Sequence, residues 1–223
     1  MDQKVLMQAI GKFAAGLVLV GLLLFVPAGT IGYWYGWLFI LILFVPMLIA
    51  GVVLMLRAPE LLKKRLSAKE EQTEQKAVLA LCGVMFLAAF IVAGLNYRFD
   101  WLVLPKWAAL AAALLFLGGY AMYAEVLREN AWLSRTVEVQ ENQTVVDTGL
   151  YGVVRHPMYA ATLLMFLSMG FVLGAPVSFL IMLLYVPIIA LRIKNEEDVL
   201  TAGLPGYAAY CKKVKYKVIP YLW

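Results

Sequence analysis

Six apolar runs of 14 to 23 residues constrain this chain more than any other feature of its sequence. They cover residues 13–26, 34–56, 77–95, 102–123, 158–173 and 177–191. A helix needs about 20 apolar residues to cross the roughly 30 Å hydrocarbon core of a bilayer. Because 64% of the 223 residues are apolar and only 15% are charged, the sequence predicts an all-α integral membrane protein embedded in a lipid bilayer.

The first four runs predict four membrane helices. The last two are separated by Gly174-Ala175-Pro176 and predict a helical hairpin whose turn lies near the far side of the membrane. Because each arm is slightly short for an untilted crossing, we expect a bundle of five or six spanning helices. The first run has a charged start, as a signal peptide has. We expect an uncleaved span there, because the next apolar run follows almost directly.

The segments between the runs carry weaker signals. The aromatic residues at 33, 34, 35 and 37 are typical of interfacial anchors rather than of a binding cage. The polar segment 57–76 predicts either a short amphipathic helix at the headgroups, with Leu61, Leu62 and Leu66 on one face, or a solvated connector. Residues 96–101 predict a tight polar turn. Alanine and glycine residues between 108 and 119 allow close helix packing.

Positive charge predicts the orientation. With the N-terminus in the cytoplasm, 17 of the 19 Lys and Arg residues fall on the inner side. The positive-inside rule therefore places the N-terminus in the cytoplasm, together with the polar segment before residue 158 and the basic tail. The net charge of +5 reflects topology and attraction to anionic lipid. We expect no nucleic-acid partner, since that would require a basic face on a water-exposed fold.

The two arms of the hairpin bring two polar clusters to this cytoplasmic edge. The first contains His156, the only histidine of the chain, between Arg155 and Pro157. The second contains Arg192 and Glu196, which share a helix face at this spacing. That pair can be an exposed intrahelical ion pair or part of a site, since ionisable groups at a membrane boundary tend to mark sites.

Residue chemistry leaves the role of His156 open. It can be a local cap, with Pro157 in the first helical turn, or it can bind an anionic ligand at the helix N-terminus. One histidine without further ligands predicts no metal site, and Cys82 and Cys211 have no metal-ligand spacing and no disulfide pattern. The sequence has no Ser-His-Asp arrangement that would make His156 a catalytic base.

Several motifs occur in a specific order over residues 125–223: G-L-Y-G-V-V-R-H-P-M-Y, the apolar hairpin, R-x-x-x-E-E-x-x-L, and G-Y-x-x-Y before a basic tail with Pro220. In this order they resemble the isoprenylcysteine carboxyl methyltransferase family and its bacterial relatives. The resemblance implies an S-adenosylmethionine-dependent enzyme in the bacterial inner membrane that methylates a lipophilic membrane-embedded substrate at a cytoplasmic cofactor site. It divides the single domain 1–223 into a four-helix part, 1–124, and a cofactor-binding and catalytic part, 125–223.

The resemblance also implies roles for individual residues. Glu196 would bind the cofactor, and Arg192 would bind a substrate carboxylate, so both are candidate catalytic residues. The other candidate cofactor-binding residues are Gln140, Gln143, Thr144, Val145, Val146, Tyr151, His156, Pro157, Met158 and Tyr159. Gln143 stands where the family has a histidine. Arg155, Tyr207 and Tyr210 are motif residues that are either structural or site-lining.

Transfer of a methyl group from a sulfonium to a carboxylate needs no general base, so positioning and desolvation should supply most of the acceleration. An amine or thiol acceptor would need deprotonation, for which His156 or Glu196 is the candidate. Three alternatives remain: a phospholipid N-methyltransferase, a sterol-reductase-type enzyme using NADPH, and a non-enzymatic scaffold or transporter. Against a transporter are the lack of an inverted repeat and of charged residues in mid-span.

Overall fold

The structure, a computed structural model, describes residues 3–67, 73–133 and 137–223, which form helices and connecting loops without a strand. The α-helices in these ranges are α1 (Gln3–Ala28), α2 (Trp34–Arg57), α3 (Pro59–Ser67), α4 (Thr73–Phe99), α5 (Lys106–Glu129), α6 (Pro157–Val172), α7 (Pro176–Met182), α8 (Tyr185–Gly203) and α9 (Tyr207–Lys213). A 3₁₀ turn, Gly149–Gly152, precedes α6. The expected all-α membrane bundle is therefore confirmed.

Five stretches of the described chain are long and apolar enough to cross a membrane. They are Leu6–Ala28, Trp34–Arg57, Lys76–Phe99, Lys106–Glu129 and Pro176–Gly203. Helix α6 is also apolar but has only 16 residues, which correspond to about 24 Å of helix. The bundle thus has five full-length candidate spans and one shorter apolar helix, as the five-or-six range predicted.

The predicted hairpin is formed by α6, α7 and α8. Its turn contains Gly174, which has a φ of +66°, a conformation that glycine adopts at little cost. The Gly174 carbonyl accepts a hydrogen bond from Leu104 N, and the Leu173 carbonyl accepts one from the Tyr33 hydroxyl at 2.6 Å. Because Leu104 and Tyr33 lie in the connections that precede α5 and α2, the hairpin turn lies at the end of the bundle opposite to His156.

The second arm of the hairpin is broken between α7 and α8. Pro187 lies in the first turn of α8, has no amide hydrogen, and its ring would clash with the carbonyl four residues earlier, that of Leu183. The chain passes this point with tight i to i+3 bonds, from Leu184 N to the Ile181 carbonyl and from Val186 N to the Leu183 carbonyl. Helix α8 then continues past the apolar run and carries Arg192 and Glu196 to the polar end.

The aromatic residues before and within α2 differ from the prediction of interfacial anchors. Tyr33 is fully buried, and Tyr35 is buried with its hydroxyl bonded to the Leu104 carbonyl. Only Trp37 is well exposed, at 52%. The interpretation as anchors is therefore wrong for the two tyrosines. Their hydroxyl groups bind backbone carbonyls that the loops of this end leave without helical partners.

Two connections also differ in detail from the sequence prediction. Helix α4 extends to Phe99, so most of the predicted turn 96–101 is helical. Asn96 closes the reversal, because its side chain accepts from Leu102 N and donates to the Leu102 carbonyl. The segment after α2 forms the predicted short helix α3, on which Leu62 is buried. Residues 68–72 of that segment lie outside the described residues, and its last four residues form the start of α4.

Helices α5 and α6 share the closest helix packing near the site. A Cβ atom on Gly119 of α5 would overlap Met165 and would lie 2.9 Å from the Ala161 carbonyl of α6. Ala109, Ala112 and Ala113 of α5 are also buried, as the small-residue pattern predicted. This contact fixes α6 against α5 and therefore positions the N-terminus of α6.

Candidate active site at the membrane edge

The N-terminus of α6 is fixed by the C-terminal tail. Arg155 N donates to the Tyr216 carbonyl at 2.9 Å, and His156 N donates to the Lys217 carbonyl at 2.8 Å. His156 is the N-cap residue and Pro157 begins the helix, but the His156 side chain makes no capping hydrogen bond. The imidazole is instead free to point toward α8, and the helix start is held by backbone contacts with the tail.

Glu197 of α8 binds three side chains from α6 and the tail. Its Oε1 atom lies 2.7 Å from Arg155 Nε and 3.1 Å from His156 Nε2, and its Oε2 atom lies 2.7 Å from Lys217 Nζ. The side chains of Arg155, His156 and Glu197 are only 9%, 3% and 15% exposed. Charge pairs with so little exposure depend on good geometry, which these short distances supply. Glu197 therefore joins α8, the N-terminus of α6 and the tail.

The hydroxyl of Tyr159 connects Arg192 with Glu196. It donates to Glu196 Oε2 at 2.7 Å and accepts from Arg192 Nε at 2.9 Å. On the other side of the carboxylate, Glu196 Oε1 lies 3.9 Å from His156 Nδ1. Tyr159, His156, Arg192 and Glu196 therefore form one polar cluster between α6 and α8, which confirms that the hairpin brings its two polar ends together.

Tyr151 is held in place by the turn that precedes α6. Its carbonyl accepts from the Tyr210 hydroxyl at 2.7 Å, and its own hydroxyl accepts from the Asn130 side chain at 2.8 Å. Gly149 begins this turn with a φ of +49°, and Leu150 N donates to the Glu129 carboxylate at 3.2 Å. Burial raises the pKa of Tyr151 to about 12, so this phenol stays neutral at physiological pH.

These groups surround a cavity of about 100 Å³. Its lining has an apolar part, which includes Leu133, Val137, Val145, Leu200 and Leu204, and a polar part. The polar part includes Asn130, Glu138, Gln143, Arg155, His156, Tyr159, Arg192, Glu196 and Tyr207. A cavity in which polar groups converge beside apolar side chains is a candidate small-molecule site.

All but one of the residues that sequence and resemblance selected line this cavity. The lining includes Gln143, Thr144, Val145, Val146, Tyr151, His156, Pro157, Met158, Tyr159, Arg192 and Glu196. Gln140 does not line it: its side-chain amide donates to the Trp132 carbonyl at 2.6 Å, and its backbone N donates to the Gln143 side chain. The specific roles of these residues as cofactor or substrate contacts stay predictions.

The sequence interpretation missed two features of the site. In the sequence Glu197 is only the second glutamate of the E-E pair and Lys217 only one of the basic residues of the tail, although the two make the ion pairs described above. Asn130 and the apolar residues Leu200 and Leu204 carry no sequence signal of a ligand site. The G-Y-x-x-Y motif did contain such a signal, since Tyr207 and Tyr210 both line the cavity.

The hydroxyl of Tyr207 offers a test of whether a polar cofactor fits. This oxygen is buried and has no hydrogen-bond partner of standard geometry among the described residues. Burial raises the pKa of Tyr207 well above its ordinary value, so the neutral hydroxyl can both donate and accept. Buried polar groups are rarely left without partners, and a ligand with polar groups would satisfy this one.

The residues that the structure describes include no group of three or more His, Cys, Asp and Glu side chains that could hold a metal ion.

Fold and site together define a helical membrane protein with a small-molecule cavity at one membrane edge. Residues 107–204 match the family model of phospholipid methyltransferases, a family in the same clan as the isoprenylcysteine carboxyl methyltransferases. The matched region extends from the start of α5 through α8, so it includes the hairpin and most of the cavity. The match supports a membrane methyltransferase and hence an enzyme. A search of curated proteins found no match to this chain.

Proposed function

We propose that this protein transfers the methyl group of S-adenosylmethionine to a lipophilic acceptor in the membrane. The observation that carries this proposal is the cluster of Tyr159, Arg192 and Glu196, which lies at a membrane edge and lines the cavity. The match to a methyltransferase family over the same region supports it.

The residues of the cavity fit the cofactor. S-adenosylmethionine combines an apolar ring system with hydroxyl, ammonium and carboxylate groups, and when bound it supplies an electrophilic methyl group on a sulfonium. Glu196 can accept hydrogen bonds from the hydroxyl or ammonium groups of the cofactor, and the hydroxyl of Tyr207 can bind a further polar atom of the cofactor. Leu200 and Leu204 can cover its ring system and exclude water. Of these contacts, the one to Glu196 is also implied by the resemblance.

Arg192 is the proposed recognition group for the acceptor. It lies within the candidate span Pro176–Gly203, four residues nearer to the apolar run 177–191 than Glu196 is. Because its Nε atom is already bonded to Tyr159, the guanidinium is held in one orientation, and its planar fork suits a carboxylate. We therefore propose O-methylation of an isoprenylcysteine-like carboxylate. Such an acceptor is already ionised at neutral pH, so positioning and exclusion of water by the chain suffice.

A phospholipid amine is the second candidate acceptor. The observation that favours it is the family match itself, which is to phospholipid methyltransferases. An amine must lose a proton before attack, and the carboxylate of Glu196 would be the group placed to receive it. A cationic Arg192 next to the acceptor would then be less favourable than for a carboxylate. The two candidates therefore differ in what they require of Arg192.

We also propose that the N-terminus and the cavity face the cytoplasm of a bacterial inner membrane. The distribution of Lys and Arg residues supports this orientation. The alternation of the long helices places the start of α1 and the start of α6 at the same end of the bundle. Reporter fusions at each terminus should both give a cytoplasmic signal, and a periplasmic signal at either end would contradict the orientation.

The central test measures cofactor binding and methyl transfer separately. Calorimetry on the purified full chain should detect binding of S-adenosylhomocysteine, and absence of binding would refute the proposed function. Labelled S-adenosylmethionine and a membrane lipid extract then identify the acceptor. A methyl ester releases labelled methanol in base, whereas an N-methyl group is stable to base. Arg192→Lys should reduce ester formation by about tenfold or more, while Lys194→Gln, at an exposed position of the same helix, should not.

A further inference from the structure

Glu197 differs from Arg192 and Glu196 in its position. It contacts Arg155, His156 and Lys217, yet it is not among the residues that line the cavity. Any effect of Glu197 on a bound ligand must therefore act through a neighbour. His156 is the neighbour to consider, because its imidazole does line the cavity and because the position of its ring proton is adjustable.

The contact with Glu197 determines which ring nitrogen of His156 carries a proton. An ionised carboxylate only accepts hydrogen bonds, and Glu197 is paired with the cations Arg155 and Lys217. At 3.1 Å from Glu197 Oε1, the Nε2 atom must therefore be the donor. The Nδ1 atom lies 3.9 Å from Glu196 Oε1, which is beyond hydrogen-bond distance, so no described contact of this ring requires a second proton.

We propose that Glu197 is a positioning residue that holds the proton of a neutral His156 on Nε2, so that Nδ1 presents a lone pair beside Glu196. Nothing in the resemblance or in the family match assigns this role. The proton position follows from the contacts of His156 alone. Only the identity of the ligand that uses Nδ1 rests on the proposed function.

This proton position gives the site a pair of acceptors. His156 Nδ1 and Glu196 Oε1 are 3.9 Å apart, which is too far for a direct hydrogen bond, and neither atom has a proton to share. The other oxygen of Glu196 is occupied by the Tyr159 hydroxyl. An N–H or O–H group of the ligand that lies between the two acceptors can bind both. The pair therefore selects a ligand with a hydrogen-bond donor at this point, such as an ammonium or a ribose hydroxyl group.

Nitrogen NMR tests the proton position directly. Because His156 is the only histidine, the full chain labelled with ¹⁵N-histidine gives one pair of ring signals without assignment. At neutral pH we expect a protonated Nε2 and an unprotonated Nδ1 in the ligand-free protein. Addition of S-adenosylhomocysteine should shift Nδ1 toward the value of a hydrogen-bonded nitrogen. A ligand-free protein with the proton mainly on Nδ1, or with both nitrogens protonated, would overturn the proposal.

Two matched variants isolate the contribution of Glu197. Glu197→Gln offers an amide N–H as well as an oxygen, so the ratio of Nε2–H to Nδ1–H forms should fall by about tenfold or more. Glu196→Gln removes a charge beside Nδ1 instead of Nε2, so it should not lower that ratio. An unchanged ratio in Glu197→Gln, or an equal fall in both variants, would contradict the proposal. The wild-type spectrum tests it even if a variant does not fold.

The outcomes remain separable from those of the proposed function. If calorimetry detects no cofactor binding but the ligand-free protein has the Nε2–H form, the methyltransferase proposal fails and the role of Glu197 stands. If the cofactor binds but the proton is on Nδ1, the proposed role of Glu197 fails and the methyltransferase proposal stands.

Discussion

The hydroxyl of Tyr159 lies 2.9 Å from Arg192 Nε and 2.7 Å from Glu196 Oε2, so it links this guanidinium to the Glu196 carboxylate. One phenol on α6 thus orients two charged side chains on α8. Both charged groups belong to the cluster on which the proposed function rests. Their geometry therefore depends on a residue of the neighbouring helix.

Tyr159→Phe should reduce kcat/KM for methyl transfer by about 10- to 100-fold, because it removes hydrogen bonds to two charged groups while keeping the ring. The measurement is steady-state methyl transfer by the purified variant. Tyr120→Phe is the matched control: it removes the bond from a tyrosine hydroxyl to the Leu43 carbonyl within the bundle. It should cost about 1 kcal/mol of stability without changing kcat/KM. Equal activity losses in both variants would contradict a specific role of Tyr159.

Gly149→Ala should destabilise the turn that holds Tyr151. A Cβ atom at Gly149 would overlap the Glu129 carboxylate, and the φ of +49° is unfavourable for alanine. We expect a loss of about 1–3 kcal/mol and weaker cofactor binding, measured by thermal unfolding in detergent and by calorimetry. Gly118→Ala is the control, since no atom lies within 4 Å of its Cβ position. It should be neutral or slightly stabilising, and a similar loss there would refute the explanation.

Gly170→Ala should separate the arms of the hairpin. A Cβ atom at Gly170 would overlap the backbone of Phe179 in α7, and backbone atoms cannot move aside as a flexible side chain can. Overpacking of this kind costs about 1–3 kcal/mol, which thermal unfolding would detect. Gly83→Ala, on an open face of α4, should have no comparable effect. If Gly170→Ala is as stable as the wild type, α6 and α7 are not in the close contact described.

The ion pair of Asp147 and Lys213 should give a pH-dependent contribution to stability. The two groups are 2.7 Å apart, and the hydrogen bond from Lys213 lowers the pKa of Asp147. A carboxyl group with a lowered folded-state pKa contributes stability above its unfolded-state pKa, and this contribution is lost as the pH falls through the folded-state value. The stability advantage of the wild type over Asp147→Asn should therefore be present at pH 7 and should decline as the pH falls below about 4 toward the lowered folded-state value.

This effect should be small and should decrease with added salt, because both groups are exposed. Unfolding of the two proteins at several pH values provides the measurement. Glu141→Gln, at an exposed position of the same loop, is the control and should not reproduce the pH dependence. A wild-type advantage that is the same at pH 7 and pH 3 would contradict the ion pair.

Much of the fold could be predicted because membrane crossing imposes a length and a composition on each helix. The positions of α1, α2, α4 and α5 follow from this requirement. The hydrogen bonds inside the bundle do not follow from it. Tyr33 and Tyr35 are of the residue type that is common among interfacial anchors, but their hydroxyl groups bind the Leu173 and Leu104 carbonyls. Sequence cannot distinguish the two situations, since the partner carbonyls come from distant loops.

The sequence by itself determined that this chain is a helical membrane protein and that its polar motifs lie at the two ends of one hairpin. The reason is that apolar length and motif order are properties of the chain alone. Only the tertiary structure decided that Glu197 joins Arg155, His156 and Lys217, that Tyr159 links Arg192 with Glu196, and that Gln140 binds the Trp132 carbonyl without lining the cavity itself. These contacts join residues from separate segments at distances of about 3 Å, and such distances are set by how α5, α6, α8 and the tail pack together.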